Sequence, residues 1–354
     1  MTRDAHTGRT DVQLRAGFSR RRLLALAGAG ACSALVAGSG RPRAQSQERP
    51  HIYMVTYRGE TEVERGFFDY LQAQGFEADF TRRDIDRDNS RLPELVEEIQ
   101  EVQPDLVYTW GTTVTLGIAG RYEDDAPEDH IRDIPVVFAL VSAPVQSGII
   151  PERAKPGRNV TGAIHVVPPE TQLRAMQAYR DFDRLGVLYN RNEDNSVVIV
   201  EDLEELADEM GFTLLAQPFA EDDQGRPTAE GVEDLVVGLK EQGADWLYYL
   251  PDTFLGTIYD RVSPAALDAG LPTFGAAELA VREGGALVGL VSRYYSVGQL
   301  AASKVIGVLR DGETPAEIPA ETLSRFSLII NMEVAKELEL YPPLAMLNYA
   351  EVLT

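Results

Sequence analysis

The sequence predicts an α/β protein built as two doubly wound, Rossmann-like lobes, and two features predict it. Short apolar runs rich in β-branched residues alternate with segments of helical period almost throughout, the pattern of parallel sheets covered by helices on both faces. The alternation restarts near residue 184, so two βαβ sets of similar length follow one another. About 310 residues lie beyond position 44, enough for two lobes of ordinary domain size held by core burial.

In chain order, a strand over residues 51–57 precedes a helix over 62–75, where Val63, Phe67 and Leu71 recur at helical spacing and Gly75 closes the end. A second strand over 77–80 leads to a helix at 92–102. Residues 105–110 form a third strand with its helix at 112–120, and 134–140 a fourth strand. The second set opens with a strand at 184–190 and a helix over 195–211 that carries Ile199, Leu203, Leu206 and Met210 on one face. A strand at 213–219, a helix through Val232, Leu235, Val236 and Leu239, and a strand at 246–250 repeat the unit. Strands at 272–276 and 286–291, a helix at 296–310, a strand at 326–330 and a short helix at 332–338 complete the chain. The acidic, turn-rich stretches 122–133 and 220–227 are expected to be loose.

The N-terminal residues carry a different signal. Ser19-Arg20-Arg21-Arg22-Leu23-Leu24 precedes a Gly/Ala-rich apolar run to Gly40, then Arg41-Pro42-Arg43-Ala44. A cationic head before a short, weakly hydrophobic segment is an export signal, and the paired arginines indicate the twin-arginine route. Residues 1–44 are therefore read as a signal peptide and the mature protein as periplasmic. A membrane anchor is the competing reading, but 23–40 spans only 18 residues with five Leu or Val, thin for a stable span. Lipid attachment at Cys32 is the third, weakened by Ala29 standing where a lipoprotein signal has Leu, Val or Ile.

Without residues 1–44 the chain keeps 25 basic and 54 acidic residues, a net charge of −29. Such a charge repels nucleic acid and anionic lipid and argues against both as direct partners. The acids are spread along helices, as in 201–209, and read as a solvated surface rather than a cation site. Cys32, the one cysteine, lies in the signal, so the exported chain has neither disulfide nor thiol chemistry.

Ligands of doubly wound sheets sit beyond the carboxyl ends of the strands. That directs attention to Tyr57-Arg58-Gly59, Gly111-Thr112-Thr113, Ser142, Asn190, Asp252-Thr253 and Gly275. Thr112 and Thr113 open a helix, where free backbone N–H groups and hydroxyls can hold a carboxylate, or where the threonines simply cap the helix. Ser142 and Asn190 are also ordinary turn residues. Asp252 can pair with a ligand ammonium or cap a helix; Arg58 can meet a carboxylate through two parallel hydrogen bonds or lie solvated in its loop. Tyr57, Trp110, Phe254, Tyr294 and Tyr295 lie nearby and can stack on a flat ligand or belong to the core. No G-x-S-x-G, H-E-x-x-H, P-loop or G-x-G-x-x-G occurs, and neither a cofactor nor a metal is called for. Beyond the signal there are three histidines, His51, His130 and His165; a triad requires His165 with Ser142 and an acid, which nothing in the spacing selects.

Several segments, in order, resemble the ABC-transporter substrate-binding proteins whose studied members include tryptophan and tyrosine binders. They are Gly66-Phe-Phe-Asp-Tyr-Leu-Gln-Ala-Gln-Gly-Phe76, Pro104-Asp-Leu-Val with Gly111-Thr112, Ile134-Pro-Val-Val-Phe138 with Val141-Ser142-Ala-Pro-Val145, and Pro156-Gly-Arg-Asn-Val-Thr-Gly162. Leu188-Tyr-Asn190, Pro251-Asp252, Tyr294-Tyr295 with Gly298, and Phe326-Ser-Leu-Ile-Ile-Asn331 continue the likeness. The resemblance implies a type I periplasmic binding fold, two lobes joined by a three-strand hinge. Residues 48–158 with 279–318 would form the first lobe, and 159–278 with 319–354 the second. It also implies a monomer that closes on a small, amino-acid-like or aromatic molecule and delivers it to an inner-membrane ABC permease with its ATPase. Thr112, Thr113 and Ser142 would then hold an anionic group, Asp252 and Asn190 an ammonium, and Tyr57, Trp110 or Phe254 an apolar part. The pattern is broken by Ala143, where an Asp is usual, and by Arg293, where an acid is usual; both changes favour a ligand with less positive charge or an added acid group. A periplasmic sensor using the same fold, or a periplasmic hydrolase, are the alternatives.

Overall fold

The computed structural model describes residues 49–124 and 129–354, and the signal-peptide reading of residues 1–44 lies outside them. The chain begins with β1 (His51–Thr56), α1 (Glu62–Ala73), β2 (Asp79–Asp84), α2 (Leu92–Val102), β3 (Leu106–Trp110), α3 (Gly111–Ala119), β4 (Val136–Val141) and β5 (Val160–Ile164). It continues through α4 (Pro169–Tyr179), β6 (Arg184–Tyr189), α5 (Asp194–Met210), β7 (Thr213–Pro218), β8 (Ala220–Glu221), β9 (Pro227–Thr228), α6 (Val232–Glu241) and β10 (Trp246–Tyr249). Next come α7 (Tyr259–Asp268), β11 (Thr273–Gly275), α8 (Glu278–Arg282), β12 (Val288–Val291) and α9 (Tyr294–Leu309). The last elements are β13 (Glu321–Thr322), β14 (Ser327–Asn331), α10 (Met332–Glu337), α11 (Leu344–Leu347) and β15 (Glu351–Leu353).

Apart from the antiparallel pair β8-β9, these strands form two open sheets, ordered β13-β5-β4-β3-β1-β2 and β15-β14-β12-β11-β10-β6-β7. Within the two sheets every pairing is parallel except β12 with β14. Each sheet contains the same wound core, β2-β1-β3-β4-β5 in one and β7-β6-β10-β11-β12 in the other. The winding reverses between β1 and β3 and again between β6 and β10, so each sheet has one switch point where a crevice opens. Both faces of each sheet are covered, because alternate residues feed separate clusters. In β1, Ile52 and Met54 join one buried cluster while Tyr53 and Val55 join another. The central strands β3, β4, β5 and β10 are buried along their whole length, which is why β3, β4 and β10 read as apolar runs.

Differences from the expected elements have physical causes. β2 lies at 79–84 rather than 77–80; as an edge strand it is part exposed and ends in Arg82-Arg83-Asp84, so no apolar run marks it. β5 escapes the pattern because Gly162 interrupts it; a Cβ there would lie 2.3 Å from the Phe138 carbonyl oxygen. α4 starts behind Pro168-Pro169, a start that is sterically natural for proline but hides the helix, and α7 contains Pro264. Residues 220–227 are an ordered hairpin, not a loose loop: β8 pairs with β9 and Asp222 accepts from the Gln224 and Arg226 N–H groups.

The chain passes between the sheets three times: after Ile164, at Ser292–Arg293 and after Thr322. α9 returns to the first sheet, packing on α1, β4 and β5. β5 and β13 thus belong to the first sheet and α8 and β12 to the second, unlike the expected limits at 158, 278 and 318. Apolar pattern shows where a strand is but not which neighbour it pairs with. The α1–α9 crossing is tight, since a Cβ on Gly66 or Gly298 would fall within 2 Å of a backbone oxygen of the opposing helix. That contact fixes the start of α9, where Tyr294 enters the site. Among the described residues no helix is long and apolar enough to cross a membrane.

Candidate functional site

The strand ends of both sheets converge on a cavity of about 60 Å³. Its first wall comes from the first sheet. Gly111, at φ 81°, turns the chain from β3 straight into α3, whose first turn leaves backbone N–H groups without helical partners. No side chain caps α3, so neither Thr112 nor Thr113 is spent as its cap; Thr112 is buried against the cavity. In β4 the register with β5 slips between Ala139 and Val141, and Leu140 stands at φ 57°. A leucine in the left-handed region stores about 1–3 kcal/mol, a strain that accompanies the turn bringing both Leu140 and Ser142 to the wall.

Arg58 completes this wall. Its Cζ lies 5.1 Å from the Trp110 ring centroid, and Tyr57 stacks on the same indole at 6.0 Å and 11°. Among the described residues Arg58 has no ion pair and no hydrogen bond, in a chain whose acids greatly outnumber its bases.

The second wall, from β6 and β10, is acidic. Asp252 Oδ2 accepts from the Asn190 N–H at 2.7 Å and the Ser196 hydroxyl at 2.8 Å, and Oδ1 from the Leu255 N–H at 2.8 Å. Glu193, just before α5, accepts from the Thr253 N–H and hydroxyl and from Asn195 Nδ2 at 3.0 Å. Both carboxyls are buried. Loss of hydration, with Asp252 close by, pushes Glu193 up to about 8; burial also raises Asp252 against the pull of its N–H donors.

The inter-sheet passages supply the remainder. His165 follows β5 and Tyr294 opens α9, and their rings meet edge to face at 6.0 Å and 84°. Burial, with Arg58 also near, lowers His165 to about 4, so the imidazole is neutral at ordinary pH. Three buried atoms of the lining lack partners: Trp110 Nε1, His165 Nδ1 and Asn195 Oδ1. Buried polar groups are nearly always hydrogen-bonded, so three orphans around one cavity mark a space shaped for a polar occupant.

Of the residues expected at the site, Arg58, Thr112, Ser142, Asp252 and Thr253 line the cavity. Four others do not. Tyr57 lies behind Trp110; Asn190 spends its N–H on Asp252 and its side-chain oxygen on the Asn192 N–H. Gly275 faces Val281 and Ala280, which a Cβ would meet at 2.8 and 2.9 Å, and Thr113 is one position past the lining. Phe254 packs on Phe219, and Tyr295 bonds Asp69. Glu193, Asn195, Tyr259 and Leu279 were not anticipated; the signal for Glu193 was an acid three residues beyond a strand-end Asn, obscured by the acidity of the chain. Ser142 and His165 share the cavity, yet among the described residues no hydrogen bond joins them or links His165 to a carboxylate, and no cluster of three or more metal-ligating side chains forms. Arg293 pairs with Glu278 at 3.1 Å and with Glu351 instead of facing the cavity, and Ala143 is also outside the lining.

The sequence model of the family described as ABC transporter substrate binding protein matches residues 52–353. The chain belongs to that family. This substrate-binding protein is 24% identical over 292 residues to a "Tyrosine-binding protein" of Clostridioides difficile (strain R20291), covering 81% of this chain and 79% of the relative. Among solved structures, a conserved domain protein of Vibrio cholerae matches with a TM-score of 0.75 and 23% identity, over 87% of this chain and 100% of the other. An ABC domain in complex with L-Trp from Streptococcus pneumonia matches at 0.73 and 22%, over 86% and 100%. The two-sheet architecture is that of type I periplasmic binding proteins.

Proposed function

We propose that this substrate-binding protein is the exported receptor of an ABC uptake transporter. It captures a small, amino-acid-like solute between two lobes, one built on each sheet, and presents the closed form to a permease with its ATPase. The carrying observation is that the switch points of both sheets face one cavity, with an unpaired Arg58 and three unpartnered polar atoms on its wall. Ligand contacts to both walls favour closure, and three short passages are where the chain would flex. Arg121 spans the walls, pairing with Asp194 beside the acidic side and adding to the closed form. Membership of the ABC transporter substrate binding family and the tyrosine and tryptophan named for its relatives support a solute of this class. Twin-arginine export to the periplasm is part of this reading, carried by residues 19–44.

Two measurements test it. A solute at a hundredfold its dissociation constant should raise stability by about 2.7 kcal/mol in thermal unfolding. X-ray scattering should then record a smaller radius of gyration for the loaded protein. One unchanging scattering curve across amino acids, sugars, nucleobases and organic acids, with no thermal shift, would sink the receptor reading.

A further inference from the structure

The kind of solute follows from how the cavity is filled. About 60 Å³ of free space takes roughly four or five water molecules at about 10–15 Å³ each, whereas a cavity of about 150 Å³ is what benzene occupies. The aromatic surfaces around it are already engaged. Arg58 and Tyr57 lie on the Trp110 indole, Tyr294 meets His165, and Tyr259 is tilted on Tyr249 at 5.3 Å. The way out is mostly charged. Past Arg58 and Tyr294 the cavity adjoins a larger chamber walled by Glu60, Glu62, Arg65, Arg87 and Glu283 together with Phe68 and Leu279, where a ring would have charges for most of its neighbours.

The polar groups define two ends. At one, the Arg58 guanidinium offers a fork of N–H donors with no protein acceptor. At the other, Asp252 and Glu193 each keep acceptor capacity beyond the N–H and O–H groups they already serve, and Asn195 Oδ1 has no donor. Resting on the receptor reading above, we infer that the ligand is a small amino-acid zwitterion with a short aliphatic or hydroxylated side chain, its carboxylate on Arg58 and its ammonium on the Glu193–Asp252–Asn195 side, and that indole and phenol side chains are excluded. The relatives named for tyrosine and tryptophan would then differ from this protein in side-chain specificity, with Arg58 as a specificity-determining residue.

Titration calorimetry on the full chain at pH 7 tests this with glycine, alanine, serine, tryptophan, tyrosine, acetate, methylammonium, glucose and adenine. At least one of the first three should bind about 100-fold more tightly than tryptophan or tyrosine, and acetate and methylammonium should each bind weakly, lacking one end. Arg58→Ala should weaken that amino acid by about 30-fold, as loss of a charged hydrogen-bonding partner does, and Arg58→Lys should restore part of it. Tryptophan or tyrosine binding as tightly as alanine overturns the inference, as does preference for glucose or adenine; either result leaves the receptor reading standing. Affinity unchanged in Arg58→Ala removes the carboxylate assignment. Binding of nothing in the panel overturns the inference, and only absence of any response in the wider thermal and scattering survey removes the receptor itself. The ranking on the unaltered protein decides the side-chain class even if the Arg58 variants do not fold.

Discussion

The two walls of the cavity are wound alike yet prepared differently. On the second-sheet side, Asp252 and Glu193 are gripped by the protein's own N–H and O–H donors, so the acids are fixed before any solute arrives. On the first-sheet side, Arg58, Thr112 and Ser142 line the same space, and Arg58 lies over the Trp110 ring with no hydrogen bond or ion pair among the described residues. One wall is therefore part of the fold's internal hydrogen bonding, and the other holds donors in reserve. The same change made on opposite walls should have different consequences: lost stability on the acidic side, lost affinity on the other.

Asp252→Ala is the strongest test of that contrast. It strands the Asn190 and Leu255 N–H groups and the Ser196 hydroxyl in a buried site, and should cost about 4 kcal/mol in chemical denaturation, whereas Ser142→Ala should change stability by less than about 0.5 kcal/mol. Equal losses would erase the distinction. A pH profile gives the next effect. Glu193 is raised from 4.5 to about 8, so the folded chain keeps a proton that the unfolded chain releases. Its contribution is full below pH 4.5 and declines as pH climbs toward 8, so wild type should lose roughly 3–4 kcal/mol relative to Glu193→Gln between pH 5 and 8. A parallel pair of profiles would mean that Glu193 ionises freely. The smallest effect belongs to Arg121→Ala. Its pair with Asp194 is half exposed and worth at most about 1 kcal/mol, so solute affinity should fall by no more than about fivefold, with the loss vanishing in high salt.

How far the sequence foretold this arrangement depended on whether a position obeyed a periodic rule. The inner strands of both wound cores except β5 were legible, because central parallel strands are buried on both faces and must be apolar, whereas the exposed edge strand β2 was located only in part. Knowing the strand ends led directly to Arg58, Thr112, Ser142, Asp252 and Thr253 at the cavity. What remained hidden depended on tertiary approach. Gly162 is small because Phe138 presses on it, and α4 and α7 carry prolines that packing tolerates. Leu140 gives no local warning of its left-handed backbone, which arises from the slip between β4 and β5. Glu193 was one acid among many until the fold withdrew it from water, and Asn190 looked like a contact when its N–H was serving Asp252.

The carboxylate of Glu351 holds both Arg282, at 2.7 Å, and Arg293, and Glu278 adds a grip on Arg293 and on the Tyr294 N–H. Glu351 thereby buttresses the passage at Ser292–Arg293, next to the Tyr294 ring that lines the cavity. Removing that carboxylate, as in Glu351→Gln, would slacken the strut from a distance and release Arg293 beside Tyr294. A carboxylate outside the cavity thus governs how firmly one of its walls stands.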